Sequence, residues 1–207
     1  MNVVERPSHE ETRARILDVA WDLFRRLGAR TTIGDVAEQL GMSSANVYRF
    51  YPSKQALCEA VASRQLGALT QCAGEIARWP GSPSERIRAT MLMLYECMRD
   101  SMISESRVHE IVDIAIKESW PAIETFKQDC CAIVIGLVTE GQARGEFGPG
   151  DPMLLAGQTL CACAGIHHPT LIAEFKDSPT ALPPEAVVAF ALRALTHPGP
   201  FPTETGA

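Results

Sequence analysis

Apolar residues recur every three or four positions along most of the chain, which is the spacing of amphipathic α-helices. The first such stretch ends at Gly28, because glycine tolerates the left-handed conformation common at helix C-caps. Serine and threonine residues that can serve as N-caps precede the next two stretches, and Pro52 closes the last of them. The predicted N-terminal helices begin at Glu10, after Thr31 or Thr32, and at Ser43.

The remainder of the chain predicts longer helices separated by breaks rich in proline and glycine. No stretch shows the alternation of apolar and polar residues that is typical of strands, and no internal repeat is found. The sequence therefore predicts an all-α fold. The further helices are predicted at Ser53–Ala77, Ser82–Arg99, Ser104–Glu118, 121–143, Asp151–Ile166 and Pro184–Leu195.

Composition limits the class of protein. The 207 residues are 46% hydrophobic, which is enough to fill a sizeable core and argues against intrinsic disorder. The longest apolar run, Cys130–Val138, is well short of the ~18 residues that indicate a membrane helix, so we expect no membrane association. The N-terminus lacks the apolar segment of a signal peptide, and the seven cysteines are odd in number. We therefore expect a cytoplasmic protein without a disulfide framework.

The net charge of −6 is unevenly distributed. Residues 1–58 contain eight basic and seven acidic side chains, a net charge of +1, so the rest of the chain carries −7. An acidic protein would at first be judged a poor partner for nucleic acid. The asymmetry between the two regions favours instead an N-terminal module that contacts nucleic acid, joined to an acidic remainder.

The second and third predicted helices, with Gly41 between them, have the layout of a helix-turn-helix. The side chains expected on the outer face of the third helix suit base recognition: Asn binds adenine and Arg binds guanine in a bidentate way, Ser bonds either, and Ala allows close approach. Tyrosine hydroxyls and a lysine at the start of the next helix suit phosphates. The predicted DNA-facing residues are Ser44, Ala45, Asn46, Tyr48, Arg49, Tyr51 and Lys54. A packed three-helix bundle without a partner is the alternative.

The exact residues from Ile16 to Leu57 favour DNA binding over the bundle without a partner. The stretch includes Leu23-Phe24 with Gly28, Thr31-Thr32-Ile33, and Ser43 through Lys54 with its aromatic residues. It closely resembles the N-terminal domain of the TetR family of bacterial transcriptional regulators. Arg49 differs, since family members frequently have His there, and this leaves the operator sequence open.

The resemblance implies the roles of individual residues. Thr32, Ser43, Tyr48 and Lys54 match family positions that touch the DNA backbone, and Ser44, Ala45, Asn46 and Arg49 match positions that reach bases. It also implies a homodimer on a pseudo-palindromic double-stranded DNA operator, released by a small-molecule effector that shifts the helix from Ser53 to Ala77. We expect residues 1–56 to form the DNA-binding domain and residues 57–207 a helical domain for ligand binding and dimerisation.

If the resemblance holds, an effector cavity lies among the helices between Ser82 and Ala143. Methionine and aromatic side chains suit an adaptable apolar pocket, although plain core packing is the alternative for each of them. The candidate lining residues are Met91, Tyr95, Met98, Met102, Ile111, Trp120, Ile123, Phe126 and Cys130. The last two predicted helices are rich in small and apolar residues and are expected to form a four-helix dimer interface.

Other functional classes find little support. Cys161 and Cys163 with His167-His168 could suggest a metal or thiol sensor, but cysteines two apart on a helix point to different faces. No glycine-rich phosphate loop, serine elbow or zinc-protease motif occurs, so we expect neither an enzyme nor a cofactor. The alternative to a regulator is a helical ligand-binding or redox protein whose N-terminal module no longer binds DNA. The motif Gly165–Ile172 has no assigned role beyond ending a helix and packing at an interface.

Overall fold

The computed structural model describes residues 8–103, 106–175 and 177–197. Every regular element in these residues is helical, which confirms the predicted all-α fold. The eleven α-helices are α1 (His9–Leu27), α2 (Ile33–Leu40), α3 (Ser44–Phe50), α4 (Lys54–Ile76), α5 (Pro83–Ile103), α6 (Ser106–Lys117), α7 (Pro121–Ala143), α8 (Pro152–Ala162), α9 (Ala164–His167), α10 (Pro169–Phe175) and α11 (Pro184–Thr196), with a 3-10 turn at Gly28–Arg30. The chain divides into two compact units: residues up to 66 together with 106–124, and residues 67–103 together with those after 124.

Local capping sets the helix boundaries of the first unit. The Ser8 hydroxyl accepts from the backbone N–H of Glu11, whose carboxylate accepts from the Ser8 N–H, so α1 begins with a complete capping box. Thr32 and Asp35 form the same arrangement at the start of α2. Gly41, with φ of 65°, adopts the left-handed conformation between α2 and α3. The predicted turn between these helices is confirmed.

The core of the first unit is assembled from α1, α2, α3, the first turns of α4, and the segment that includes α6. Val36 and Val47 are completely buried, and Leu57 and Val61 bring α4 into the same cluster. Helix α6 packs against α1 and the 3-10 turn, and Ala115 and Trp120 belong to this core. The predicted division at residues 56 and 57 stays a prediction; these two compact units are separated at other points in the chain.

The second unit has its own core, formed mainly by α5, α7, α8 and α11. Arg86 is buried, and its guanidinium has polar partners on both sides. It donates a hydrogen bond to the Ala77 carbonyl at 2.8 Å and forms an ion pair with Glu140 at 2.5 Å. Glu140 also pairs with Arg144 at 2.6 Å. The hydrogen bond from Arg86 lowers the pKa of Glu140, so the carboxylate stays charged and this buried cation has the partner that it requires.

The largest departures from the predicted helices lie near the C-terminus. The expected continuous helix from Asp151 to Ile166 is interrupted at Cys163, whose backbone (φ −89°, ψ 0°) lies outside helical geometry. A further short helix, α10, begins at Pro169 and was not predicted from the sequence. Its buried Pro169 and Ile172 show that tertiary packing stabilises a helix too short to be detected by periodicity.

Among the residues that the structure describes, none of the helices combines the length and the apolar character that crossing a bilayer requires. The most apolar stretch of α7 is instead packed into the core of the second unit, where Val134 and Val138 are buried.

The contact between Gly141 and Phe147 gives a test of the packing of the second unit. A Cβ atom at Gly141 would lie 2.1 Å from Cδ2 of Phe147, and the ring is itself buried. We expect Gly141→Ala to destabilise the protein by about 1–3 kcal/mol, because the ring must leave its site against α7. The free energy of unfolding in urea measures this.

Gly136→Ala is the matched control on the same helix. A Cβ at Gly136 would meet no atom within 4 Å, so this variant should be neutral or stabilise the helix by up to about 1 kcal/mol. Equal destabilisation by the two substitutions would show that loss of glycine in α7, and not the contact with Phe147, sets the cost.

Candidate nucleic-acid interface

Helix α3 presents one buried and one exposed face. Val47 is completely buried in the first core, and Phe50 is half-buried with its ring 4.6 Å from that of His9. The opposite face is open: Asn46 is half-buried, and the exposed positions are Ser43, Ser44, Ala45, Tyr48 and Arg49. The predicted DNA-contacting residues of α3 therefore share one accessible surface, which we call the α3 face and define by Ser44, Ala45, Asn46, Tyr48 and Arg49.

The N-terminus of α3 is held by two local contacts. The Ser43 hydroxyl accepts from the Asn46 backbone N–H at 3.2 Å, which caps the helix. The Asn46 side-chain amide lies 3.9 Å from the sulfur of Met42. A weak sulfur acceptor leaves most of the hydrogen-bonding capacity of this amide available to a ligand.

The two tyrosines of this region have different environments. Tyr48 is 48% exposed, whereas Tyr51 is 2% exposed and its hydroxyl donates to the Arg13 carbonyl at 3.5 Å. The Arg13 guanidinium lies 4.8 Å from the centre of the Tyr51 ring, and burial raises the pKa of the Tyr51 hydroxyl. This corrects the expectation that Tyr51 faces a phosphate: it lies just past α3, where its ring joins the core.

Thr32 and Lys54 flank the α3 face in the chain and are both exposed. The Thr32 hydroxyl and backbone N–H both bond the Asp35 carboxylate, and these bonds lower the pKa of Asp35. Lys54 is the first residue of α4, and its ammonium donates to the carbonyl of Ala29 in the 3-10 turn. Because an ammonium has three N–H groups, two remain for a phosphate oxygen.

The nine candidate ligand-binding residues do not fall into one cluster. Met91 and Cys130 are core residues of the second unit, Tyr95 and Phe126 pack against that core, and Met98 is buried. The structure assigns three others to the first unit: Trp120 is part of its core, and Ile111 and Ile123 pack against it. This division follows from the packing of α6 against α1, which spacing within one helix does not reveal. The side chain of Met102 lies outside the described part of the structure.

The residues of the alternative metal or thiol site near the C-terminus do not share one surface. Cys161 is exposed and Cys163 is completely buried, so they occupy different faces, as their spacing predicts. His167 bonds the Met91 carbonyl through Nε2 at 2.9 Å, and burial lowers its pKa. Burial also raises the pKa of the Cys58 and Cys163 thiols to about 11 and that of Cys130 to about 12, which makes them unreactive.

Two families of known proteins match the chain. Residues 16–61 match the family described as bacterial regulatory proteins, tetR family, and residues 83–188 match the tetracyclin repressor-like C-terminal domain. The second match alone spans half of the chain. The chain belongs to the TetR family. Its members are transcriptional regulators with a helix-turn-helix for DNA binding, and they are not enzymes.

Individual relatives are distant in sequence but similar in fold. This chain is 25% identical over 159 residues to YvaF of Bacillus subtilis strain 168, an uncharacterized HTH-type transcriptional regulator. The alignment covers 75% of this chain and 80% of YvaF. A TetR/AcrR regulator from Thermobifida fusca superposes with a TM-score of 0.62 at 22% identity, covering 90% of this chain and 97% of the other. FadR of Bacillus subtilis, in complex with stearoyl-CoA, gives a TM-score of 0.63 at 14% identity, covering 89% and 97%.

The adjacent serines at the start of α3 provide a test of its capping. We expect Ser43→Ala to lower the free energy of unfolding by about 0.5–2 kcal/mol, because the backbone N–H of Asn46 loses its acceptor. Ser44→Ala is the control, since Ser44 is the first helical residue and alanine favours the helix interior. A cost at Ser44 as large as that at Ser43 would contradict the assignment of the cap.

Proposed function

We propose that this TetR-family regulator is a ligand-responsive repressor. It binds a pseudo-palindromic operator as a homodimer and is released by a small-molecule effector. The observation that carries the proposal is the α3 face, on which base-reading side chains project from a helix whose opposite side is anchored by Val47.

The α3 face has the chemistry of major-groove recognition. Asn46 is suited to the N6 and N7 positions of adenine and Arg49 to the O6 and N7 positions of guanine. Ala45 permits close approach to the base edges or to a thymine methyl. Two such helices in a dimer would occupy successive major grooves, about 34 Å apart, which requires an operator with two-fold symmetry.

Contacts with phosphates would fix the register of α3 in the groove. Ser43, Tyr48 and Lys54 are exposed and carry hydrogen-bond donors, as phosphate contacts require. Thr32 is also exposed, and its hydroxyl would bond a phosphate on leaving the Asp35 carboxylate. Lys54 would act as the charged member, using the N–H groups that do not bond Ala29. These contacts add affinity for any sequence, whereas the base contacts supply the discrimination.

Helices α8 and α11 are the surface proposed for dimerisation. They pack side by side in the second unit, and each leaves apolar side chains in solvent: Met153 is 65% exposed, Leu154 45% and Phe190 60%. Their opposite faces, which include Leu155 and Val188, fill the core. Two helices from each subunit would then form a four-helix interface that covers these side chains.

The effector is proposed to bind in the second unit. FadR, a solved structure of similar fold, is in complex with stearoyl-CoA, which supports ligand binding by this architecture. Tyr95, Met98 and Phe126 are the candidates here that combine adaptable apolar surface with a polar hydroxyl. For the effector to cause release, it must bind more tightly to a conformation in which α4 no longer holds the two α3 helices at operator spacing.

Selection from a pool of random DNA sites tests the proposal. We expect the full chain to enrich a two-fold symmetric site. On that site Asn46→Ala and Arg49→Ala should each cost about 1–3 kcal/mol of binding free energy, confined to particular bases in each half-site. Mobility-shift titrations on single-base variants of the selected site measure this.

A matched pair of lysine substitutions separates phosphate contacts from base contacts. Lys54→Gln should weaken binding to every site and reduce the slope of log affinity against log salt by about one. Lys127→Gln removes the same charge from the second unit and should leave the slope unchanged. Uniform affinity for all sites in the pool, with no base-specific effect of the Asn46 and Arg49 variants, would contradict operator recognition.

Sedimentation of the full chain tests the proposed dimer surface separately. We expect a dimer at micromolar concentration and a monomer for Phe190→Glu, because the substitution places a charge in the apolar centre of the interface. Leu182→Glu is the control, as Leu182 is 69% exposed but lies in the loop before α11. A wild-type chain that sediments as a monomer would overturn the proposal.

A further inference from the structure

One aromatic contact beside the α3 face joins α1 to α3. The ring of His9, the first residue of α1, lies 4.6 Å from the ring of Phe50, the last residue of α3, and the two ring planes are inclined by 31°. Phe50 is half-buried and His9 is exposed, so the phenyl ring supports an imidazole that solvent reaches. The imidazole nitrogens lie in the plane of their ring, and a contact with its face leaves them available to a ligand.

The place of Phe50 on α3 puts His9 beside one edge of the α3 face. Residues four apart lie on the same side of a helix, so Phe50 follows Asn46 along one edge. At 3.6 residues per turn, Tyr48 lies about 160° from Asn46 around the helix axis, on the opposite edge. Tyr48 and His9 therefore flank the proposed base-contacting residues from opposite sides.

A helix in the major groove of DNA lies between two sugar-phosphate backbones. The diameter of a helix with its side chains is about 10–12 Å and the groove is about 12 Å wide, so each edge of the helix faces the backbone of one strand. Tyr48 is proposed to contact a phosphate on its side. The opposite edge, where His9 lies, then faces phosphates of the other strand.

We propose that His9 binds a backbone phosphate on the strand opposite to the one that Tyr48 contacts, and that protonation of His9 strengthens operator binding. This role of His9 rests on the operator recognition proposed above. A neutral imidazole donates one hydrogen bond, whereas the protonated ring has two donors and a positive charge. A hydrogen bond between a charged donor and a phosphate is about twice as strong as one between neutral groups.

The other charges around this ring pair balance one another. The charged and titratable side chains within one turn of His9 on α1, and next to Phe50 in the chain, are Glu10, Glu11 and Arg13, and Arg49 and Tyr51. The two carboxylates and the two guanidinium groups cancel, and burial raises the pKa of the Tyr51 hydroxyl, which stays neutral. Arg64 of α4, which also acts on that hydroxyl, is paired with Asp18 of α1 at 2.9 Å.

His9 is therefore the group that changes the charge of this edge near neutral pH. It is the only histidine among residues 1–58. Histidine ordinarily gains its charge as the pH falls from about 8 to 6, a range in which carboxylates and guanidinium groups keep theirs. A phosphate favours the protonated ring, so operator affinity should rise as the pH falls through this range.

Operator binding at two pH values tests this role. The full-length chain is titrated onto the site selected from the random pool at pH 8 and at pH 6, over a series of salt concentrations. We expect the wild type to bind more tightly at pH 6. We also expect the slope of log affinity against log salt to steepen there by up to about one for each subunit bound, because a protonated imidazole adds a phosphate contact.

Three substitutions separate a phosphate contact from a merely structural role. His9→Phe keeps a ring against Phe50 but has no donor, so at pH 6 it should lower affinity about three- to tenfold and abolish the difference between the two slopes. His9→Arg carries a permanent charge and should give the steeper slope at both pH values. His168→Gln is the control, since it removes an exposed histidine of the second unit and should behave as the wild type. Unfolding in urea shows that each variant is folded.

Neutral phosphates locate the contact on the DNA. Operators with a single methylphosphonate linkage lack one negative charge at a known position of one strand. We expect one position in each half-site at which His9→Phe causes no further loss of affinity, because the contact is already gone. The corresponding position for Tyr48→Phe should lie on the other strand, across the major groove.

Equal affinities and slopes for the wild type and His9→Phe at pH 6 would overturn the role of His9, as would a pH dependence that His9→Phe leaves undiminished or that His168→Gln removes. Methylphosphonate positions for His9 and Tyr48 on the same strand would overturn the assignment to opposite strands. A wild-type chain that selects no symmetric site would overturn operator recognition together with the role of His9, and the wild type shows this before any variant is made.

Discussion

The burial of one side of α3 is the constraint on which the proposed DNA-binding surface depends. A helix of seven residues is not stable alone, because the free-energy cost of nucleating it exceeds the stabilisation from its few hydrogen bonds. Val47, completely buried among α1, α2 and α4, supplies the missing stability, and the Ser43 cap defines where the helix begins. Once Val47 points inward, helical geometry leaves Asn46 and Arg49 on the accessible side. The same contact therefore stabilises the helix and orients the residues that we propose to read bases.

The second unit depends on a different combination of forces. Its core is apolar, but one end is held by the Arg86 guanidinium, which joins the carbonyl of Ala77 to the carboxylate of Glu140. A nearly buried guanidinium is tolerated only because these acceptors are in place. One residue beyond Glu140, Gly141 allows the Phe147 ring to pack directly on the backbone of α7. The packing at this end of the unit therefore depends on the ion pair between Arg86 and Glu140 and on the lack of a side chain at Gly141.

Most of the helices could be predicted from the sequence because their signals are local. Caps such as Thr32 and Ser43, the left-handed Gly41, and apolar spacing each act within a few residues along the chain. Where the prediction was wrong, the residues concerned are buried in the packed structure. Cys163 interrupts a helix that periodicity extends further, and α10 forms because Pro169 and Ile172 are buried. Tyr51 looked like a DNA contact from its neighbours, yet Arg13, 38 residues away, holds its ring and hydroxyl in the core.

The sequence by itself determined the all-α class, the positions of the helix-turn-helix and its caps, and the family to which the chain belongs. The fold class and the helix boundaries follow from apolar periodicity and from hydrogen bonds between residues close together in the chain. The family follows from the identities of the residues themselves. The tertiary structure alone decided the partition of the candidate ligand residues between two cores, since α6 packs against α1 and takes Ile111 and Trp120 into the first unit. The reason is physical: contacts between residues far apart in the chain depend on how helices pack, and apolar spacing specifies which face is buried but not which helix covers it.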